Sequence, residues 1–245
     1  MTNFNEESIS SDLRHFKEEE LADLKRHIDL VGKHRDHPEV LLYNFARIAR
    51  TQDMTRLLAF HETYSQIIGI PGEIAEIGVL EGQSLFCFAH FTEIYEPRNY
   101  TRKIVGFDSL EGYYLPGIKE IKPITPKLLR EAISIFNDSV HLKQFTKIEL
   151  VEGKPEETAP RYFEPSSGRV CALLILHSGL YDVEKAALEA IWSRMSIGAV
   201  VLLGSFGFDE TPQCTKVIDD VIGLENIELH RFPYATKYCY FKKRL

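Results

Sequence analysis

Two glycines behind an acidic residue form the stretch of the sequence that is best suited to hold a ligand. Residues 73–84 read EIAEIGVLEGQS, so Glu76, Gly78 and Gly82 lie between an apolar run and a helical pattern. Glycines let the backbone approach a ligand closely, and the start of a helix offers free N–H groups. The spacing is neither GxGxxG nor that of a P-loop, and the acid favours a cationic ligand such as S-adenosylmethionine. The alternative is a tight turn without a ligand.

A second acid, Asp108, ends the next apolar run of the chain. In doubly wound folds, ligands bind at the carboxyl ends of the strands, near the switch in strand order. A carboxylate at this place suits the two hydroxyl groups of a ribose, whereas the alternative is a turn or helix-capping aspartate. Together, the acidic glycine turn and Asp108 have the layout of a class I methyltransferase.

The elements that must position these residues alternate along the chain. Short continuous apolar runs separated by helical stretches indicate a parallel sheet that is covered on both faces. The expected strands are 73–78, 104–108, 147–151, 170–176 and 199–203, and the expected helices are 82–95, 126–137, 157–164 and 183–194. Residues 227–231 and 236–241 predict an antiparallel C-terminal hairpin around a Pro-containing turn. We therefore expect an α/β, Rossmann-like fold with a mostly parallel seven-stranded sheet.

The N-terminal part of the chain has a helical pattern instead. Charged residues over 1–36 are interrupted by a rough apolar stripe, and two more helical runs cover 39–48 and 54–68. We expect a helical N-terminal extension over 1–50 and a Rossmann-like methyltransferase domain over 51–245. The extension is either a solvated arm or a contact in a homo-oligomer.

Composition excludes several classes of protein. The net charge of −7 argues against unspecific binding to nucleic acid, which needs a basic face. No apolar run reaches the roughly 20 residues of a membrane span, and the first residues do not resemble a signal peptide. The four cysteines form no CxxC pair, which is typical of reduced thiols in a cytoplasmic protein. We expect a small-molecule partner, with neither nucleic acid nor a membrane.

Four segments resemble the macrocin O-methyltransferase family, in particular its branch of deoxyhexose 3-O-methyltransferases. They are 70–91 (IPGEIAEIGVLEGQSLFCFAHF), 96–113 (EPRNYTRKIVGFDSLEGY), 172–195 (ALLILHSGLYDVEKAALEAIWSRM) and 217–241 (VIDDVIGLENIELHRFPYATKYCYF). The resemblance implies a class I methyltransferase fold, S-adenosylmethionine as cofactor, and a sugar hydroxyl, often on a nucleotide-linked deoxyhexose, as acceptor. The cofactor contacts that it implies are Glu76, Gly78, Gly82, Ser84, Asp108 and Ser109.

The chain departs from this family where the family carries acids. Asp-x-Asp-Leu-Tyr after the fourth strand is His-Ser-Gly-Leu-Tyr at 177–181, and the paired acid after the fifth strand is Gly-Ser at 204–205. Trp-Pro-Gly-Glu-Thr is replaced by Thr-Pro-Gln-Cys-Thr at 211–215. In the family these acids bind a divalent cation, which prefers carboxylate oxygens, so we expect no metal in this chain.

The cofactor side shows one further departure. Gly153 and Lys154 stand where the family often has Gly-Asp, and a lysine cannot accept a hydrogen bond from the adenine amino group. We still assign both positions to the predicted cofactor site.

His177 is the candidate catalytic residue. A sugar hydroxyl has a high pKa, so its methylation benefits from a general base, and a neutral imidazole can act as one without a metal. The alternative is a polar residue that fills a vacated pocket. The nearby acids Asp182 and Glu184 fall at the start of a helix, where a negative charge caps the helix or interacts favourably with the helix dipole. Asp209 and Glu210 are expected in a solvated loop.

The segment 113–145 joins the second and third strands and has the length of a lid over the site. Its basic residues either meet a phosphate group or form a solvated face; they are Lys119, Lys122, Lys127 and Arg130.

Three functions remain open from the sequence. The first is an S-adenosylmethionine-dependent O-methyltransferase that acts on a sugar or a similar hydroxylated metabolite, without a metal. The second is a catalytically inactive relative that serves as a binding or scaffolding partner, as the replaced acids suggest. The third is an enzyme that uses the same pocket for another reaction, which nothing in the sequence identifies.

Overall fold

The computed structural model describes residues 18–112, 126–207 and 212–244, with side chains from residue 25 onward. Its helices are α1 (Glu18–Gly32), α2 (Pro38–Tyr43), α3 (Phe45–Ile48), α4 (Thr51–Ile67), α5 (Gln83–Tyr95), α6 (Pro126–Ser139), α7 (Pro155–Tyr162), α8 (Tyr181–Trp192) and α9 (Gln213–Val221). Its strands are β1 (Glu73–Ile77), β2 (Ile104–Asp108), β3 (Ile148–Glu152), β4 (Cys171–Leu176), β5 (Met195–Leu203), β6 (His230–Arg231) and β7 (Cys239–Lys242).

The seven strands form one sheet with the order β3-β2-β1-β4-β5-β7-β6. The first five are parallel, and β7 pairs antiparallel with both β5 and β6. This confirms the predicted fold class, including the C-terminal hairpin. The order reverses between β1 and β4, so the crevice that suits a ligand lies at their carboxyl ends.

Side-chain alternation explains why the strands read as continuous apolar runs. Ile74 of β1 packs into a cluster with α4, α5 and α6, whereas Ala75 and Ile77 pack into a second cluster with α7, α8 and α9. Both faces of the sheet are covered, so every position of β1 and of β4 is buried. Burial on two faces removes the polar alternation that a half-exposed strand would show.

The described residues divide into two compact units. One comprises 18–56 together with 111–112, and the other comprises 57–110 and the described residues from 126 onward. The predicted boundary at residue 50 stays a prediction. No helix in the described ranges is long and apolar enough to cross a membrane.

The structure adds two details to the helical predictions. The helical run expected over 39–48 is present but is divided into α2 and α3 at Asn44, whose side-chain Nδ2 donates to the carbonyl oxygen of Val40. Asparagine competes in this way for backbone groups, which favours a helix end. The sequence analysis did not predict α9, which follows Pro212.

A buried ion pair anchors the amino ends of β1 and β2. The guanidinium of Arg102, only 1% exposed, pairs with Glu96 at 3.1 Å. It also donates to the carbonyl oxygens of Gly72 and Ile67, at 2.9 and 3.1 Å. The segment 96–113, one of the four that resemble the family, therefore contains a structural ion pair at the end of the sheet away from the ligand crevice.

Replacing this arginine should strongly destabilise the fold. Arg102→Ala removes the buried ion pair with Glu96 and two hydrogen bonds to backbone carbonyl oxygens, so we expect the free energy of unfolding to fall by about 3–5 kcal/mol. The matched control is Arg98→Ala, at an exposed arginine, which should change it by less than about 0.5 kcal/mol. Urea unfolding followed by circular dichroism measures both, and equal effects would contradict the structural role.

Candidate active site

The turn after β1 depends on its two glycines. Gly78 has φ +87°, and a Cβ atom at this position would lie 3.0 Å from Cα of Ser178, in the loop after β4. Gly82 has φ +81° and is the N-cap of α5, with no side-chain cap for the helix start. Both φ values are in the left-handed region that only glycine adopts readily. The structure therefore contains the tight turn, and its contact with a cofactor stays a prediction.

Asp108 fixes this turn from the end of β2. Its Oδ2 atom accepts hydrogen bonds from the backbone N–H groups of Val79 and Leu80, at 2.7 and 3.0 Å, and Oδ1 accepts one from Leu110 at 2.8 Å. Leu80 has φ +51°, a conformation that a leucine keeps only where its surroundings hold it. Since each carboxylate oxygen has two acceptor sites, Oδ1 still has one for a ligand hydroxyl.

The remaining predicted cofactor residues follow β2 and β3. Ser109 comes directly after Asp108, and Gly153 donates its N–H to the carbonyl oxygen of Asp108 at 3.1 Å. The exposed Lys154 is the N-cap of α7, and its carbonyl oxygen accepts the N–H group of Thr158 at 2.9 Å. The structure thus brings these positions to one edge of the sheet, as the sequence analysis expected.

Glu76 and His177 form a buried pair across β1 and β4. The Glu76 side chain is fully buried, and its Oε1 atom lies 3.0 Å from Nε2 of His177. Ser84 donates its hydroxyl to the same oxygen at 2.6 Å, while Oε2 has no partner among the described residues. A direct contact from Glu76 to a cofactor therefore requires one of its neighbours to move.

The pKa of His177 reflects two opposing effects. Burial of the imidazole lowers its pKa because it disfavours the charged form. The hydrogen bond and the negative charge of Glu76 raise it, as does the carbonyl oxygen of Gly78, which lies 2.8 Å from Nε2. The effects that raise the pKa exceed the effect of burial, so the pKa of His177 lies above its ordinary value.

A second buried carboxylate shapes the loop after β4. Glu184 lies in the first turn of α8, as the sequence analysis predicted, and is fully buried. It accepts hydrogen bonds from the N–H group of Gly179 at 2.9 Å and from the hydroxyl of Ser178 at 3.1 Å. Burial raises the pKa of Glu184. Its role in fixing this loop was not predicted, because helical position alone does not show where a side chain turns.

Gly204, at the end of β5, occupies a position that carries an acid in the resembling family. A Cβ atom built on Gly204 would lie 2.4 Å from Cβ of His177. A carboxylate-bearing residue therefore does not fit at position 204 beside His177 unless the strand ends move apart. No group of three or more His, Cys, Asp or Glu in the described ranges could hold a metal ion.

Several predicted residues lie outside the described ranges or have other partners. Asp209, Glu210, Lys119 and Lys122 lie outside the described residues, as do residues 113–125 of the segment expected to form a lid. Arg130 is engaged in a bidentate pair with Glu152, at 2.7 and 2.6 Å. It is therefore already paired on the surface, which does not favour a phosphate contact.

Comparisons with known proteins identify the family. No protein-family model and no curated protein sequence matches the chain. A crystal structure of the calicheamicin methyltransferase CalS11 has a TM-score of 0.86, with 29% identity over 93% of this chain and 94% of that one. An apo structure of CalS11, named as TDP-rhamnose 3′-O-methyltransferase, has a TM-score of 0.83, with 31% identity over 93% and 96%. The chain belongs to the class I methyltransferases.

A more distant structure of this class agrees in fold only. The O-methyltransferase NovP has a TM-score of 0.61, with 16% identity over 78% of this chain and 80% of that one. Membership of the macrocin O-methyltransferase branch stays an expectation.

The class I methyltransferase site has features that fit S-adenosylmethionine. Gly78 and Gly82 give the turn after β1 its left-handed backbone, and the turn leads directly into the start of α5. Asp108 retains an acceptor site on Oδ1 for a ribose hydroxyl, and the start of α5 has no side-chain cap.

Asp108 offers a test of how the turn is held. In Asp108→Asn, an amide N–H₂ group replaces one of the two accepting oxygens, so at least one backbone donor loses its partner. We expect the free energy of unfolding to fall by about 1–3 kcal/mol and hydrogen exchange to become faster at one or more of the amides of Val79, Leu80 and Leu110. The control is Asp182→Asn, at an exposed position in the first turn of α8. Unchanged exchange at all three amides would contradict this role.

Proposed function

We propose that this protein is an S-adenosylmethionine-dependent O-methyltransferase whose acceptor is a hydroxyl group of a sugar, of the nucleotide-linked deoxyhexose class. The observation that carries the proposal is the similarity, at 31% identity over 96% of its length, to a structure named as a TDP-rhamnose 3′-O-methyltransferase. The retained turn after β1 and the position of Asp108 support the same cofactor.

The predicted cofactor residues would divide the work of binding. Gly78 and Gly82 would offer the backbone of the turn, and Asp108 and Ser109 would face the ribose. Gly153 and Lys154 would lie at the adenine end, where the backbone rather than the lysine side chain would serve as acceptor. Glu76 and Ser84 lie beneath the turn, and their direct contact with the cofactor stays a prediction.

The reaction needs a proton acceptor beside the acceptor hydroxyl. Bound S-adenosylmethionine would supply an electrophilic methyl group on a positively charged sulfur. His177 would take the proton of the hydroxyl while the acceptor oxygen forms its bond to the methyl carbon. The electron pair of the broken C–S bond stays on sulfur, which leaves S-adenosylhomocysteine, the methyl ether and a protonated imidazole. We propose that this step proceeds without a metal ion, since His177 and Gly204 stand in place of acids.

The expected setting of the reaction belongs to the same proposal. The net charge of −7 favours a small-molecule acceptor over nucleic acid, and the four cysteines are free thiols, as is typical of a cytoplasmic protein. A homo-oligomer through the N-terminal helices stays a prediction.

The second candidate function is a non-catalytic binding protein with the methyltransferase fold. Two observations favour it: three backbone donors already occupy Asp108, and the acids expected at 177 and 204 are replaced. It predicts cofactor binding, or no binding at all, without turnover.

A direct assay separates the two functions. Purified protein is incubated with S-adenosylmethionine and a panel that includes TDP-rhamnose, other nucleotide-linked deoxyhexoses and free sugars, and S-adenosylhomocysteine is measured by mass spectrometry. We expect turnover on at least one nucleotide-linked sugar, unchanged by EDTA. Loss of turnover with EDTA would refute the metal-free step, and calorimetric binding without turnover on any acceptor would favour the non-catalytic protein.

A substitution at His177 tests its role as the base. His177→Asn removes the proposed base, so we expect kcat to fall by roughly 10²–10⁴-fold, while the Kd of S-adenosylmethionine changes little. The control is His141→Asn, at an exposed histidine, which should leave kcat unchanged. A kcat of His177→Asn within twofold of wild type would show that His177 only fills space.

A further inference from the structure

The contacts of His177 define which ring nitrogen carries a proton. Nε2 lies 3.0 Å from Oε1 of Glu76 and 2.8 Å from the carbonyl oxygen of Gly78. A main-chain carbonyl oxygen can only accept a hydrogen bond, so Nε2 must be the donor. In the neutral imidazole the free lone pair is therefore on Nδ1.

Nδ1 is the nitrogen that remains accessible. It has no hydrogen-bond partner in the described ranges, and it is not among the buried polar atoms that lack one. The His177 side chain is 16% exposed, whereas Glu76 behind it is fully buried. The ring thus has one nitrogen bound to the interior and one nitrogen that faces outward.

The position of the Glu76 side chain is fixed by its strand and by a second hydrogen bond. It lies in the central strand β1, where Gly106 of β2 and Ile175 of β4 are its neighbours on the two sides. Ser84, in the first turn of α5, donates to the same Oε1 atom at 2.6 Å. A carboxylate on a rigid strand with a second hydrogen bond has a defined orientation and can impose it on its partner.

Gly204 completes the arrangement from the other side. Because a Cβ atom on Gly204 would lie 2.4 Å from Cβ of His177, any larger residue at this position would displace the histidine or the strand end. The close approach of β5 to β4 at this point depends on glycine. Glu76 and Gly204 therefore confine His177 between them.

We propose that Glu76 is a positioning residue, which accepts the Nε2 proton of His177 and thereby presents Nδ1 to the acceptor hydroxyl, in a slot that Gly204 keeps open. This inference rests on the proposed function, in which His177 takes the proton of that hydroxyl. Glu76 touches neither the acceptor nor the reacting atoms and acts through the imidazole.

The charges around His177 determine the expected pH dependence. Two buried carboxylates face it from the described elements, Glu76 from β1 and, at a greater distance, Glu184 from α8. Both favour the imidazolium and keep the pKa of His177 above its ordinary value despite burial. Since only the neutral ring can take a proton, kcat should rise with pH through this elevated pKa.

The decisive experiment measures His177 in the protein without ligand, so that it does not depend on turnover. Wild type and Glu76→Gln are labelled with ¹⁵N-histidine, and the ring-nitrogen shifts are followed against pH, with His177→Asn to assign the signals. We expect the neutral wild-type ring to carry its proton on Nε2, and Glu76→Gln to lower the pKa of His177 by about 1–3 units. The matched control is Glu184→Gln, which removes a buried carboxylate that is not bonded to His177 and should lower the pKa less.

Kinetics supply the second measurement. Glu76→Gln should lower kcat about tenfold and move the rising limb of the pH profile to lower pH, with the Kd of S-adenosylmethionine within twofold of wild type. Gly204→Ala should also lower kcat, because its Cβ atom would displace His177, and should have little effect on Kd. This variant tests the confinement of His177 if Glu76→Gln does not fold. A parallel loss of cofactor affinity in Glu76→Gln would overturn the proposal and assign Glu76 to the cofactor.

The outcomes separate this proposal from the one that it rests on. A neutral wild-type ring with its proton on Nδ1, or an unchanged pKa in Glu76→Gln, would overturn the role of Glu76 whatever the turnover. Cofactor binding without methylation of any acceptor would instead refute the proposed function, and the ¹⁵N shifts would still decide how Glu76 orients His177.

Discussion

The burial of the Glu76 carboxylate is the constraint on which the rest of the site depends. A polar group without exposure needs hydrogen-bond partners, and Ser84 and His177 are the ones that the described chain provides. The position of His177 then requires glycine at 204, and the contact of the two loops requires glycine at 78. The buried Glu76–His177 pair is thus surrounded by close approaches of strand ends and loops that leave room only for glycine.

Much of the fold could be predicted from the sequence. The five parallel strands and their helices follow from continuous apolar runs, because both faces of the sheet are covered. The C-terminal hairpin also follows from two short strand patterns on either side of a Pro-containing turn. The helical run expected over 39–48 is present as α2 and α3, which are separated because the side chain of Asn44 bonds to the backbone. Such local competition is not visible in hydrophobic periodicity.

The site could be predicted in its positions but not in its contacts. The sequence placed Glu76, Asp108 and His177 at the carboxyl edge, where the structure has them. It did not show that Asp108 bonds three backbone donors, because those donors depend on the path of the turn. Nor could it relate Gly204 to His177, because a glycine in the sequence does not indicate which side chain packs against it. Both contacts join residues that are far apart in the sequence and meet only in the folded chain.

The buried pair of Arg102 and Glu96 has a consequence for how such a protein can diversify. This pair ties together the amino ends of β1 and β2, whereas every candidate for ligand chemistry lies at the opposite ends of the strands. The residues that stabilise the sheet at this end are thereby separated in space from the residues of the candidate active site. A lineage that carries this anchor can exchange a carboxylate for an imidazole at the working edge and still fold, so new chemistry can arise there without loss of architecture.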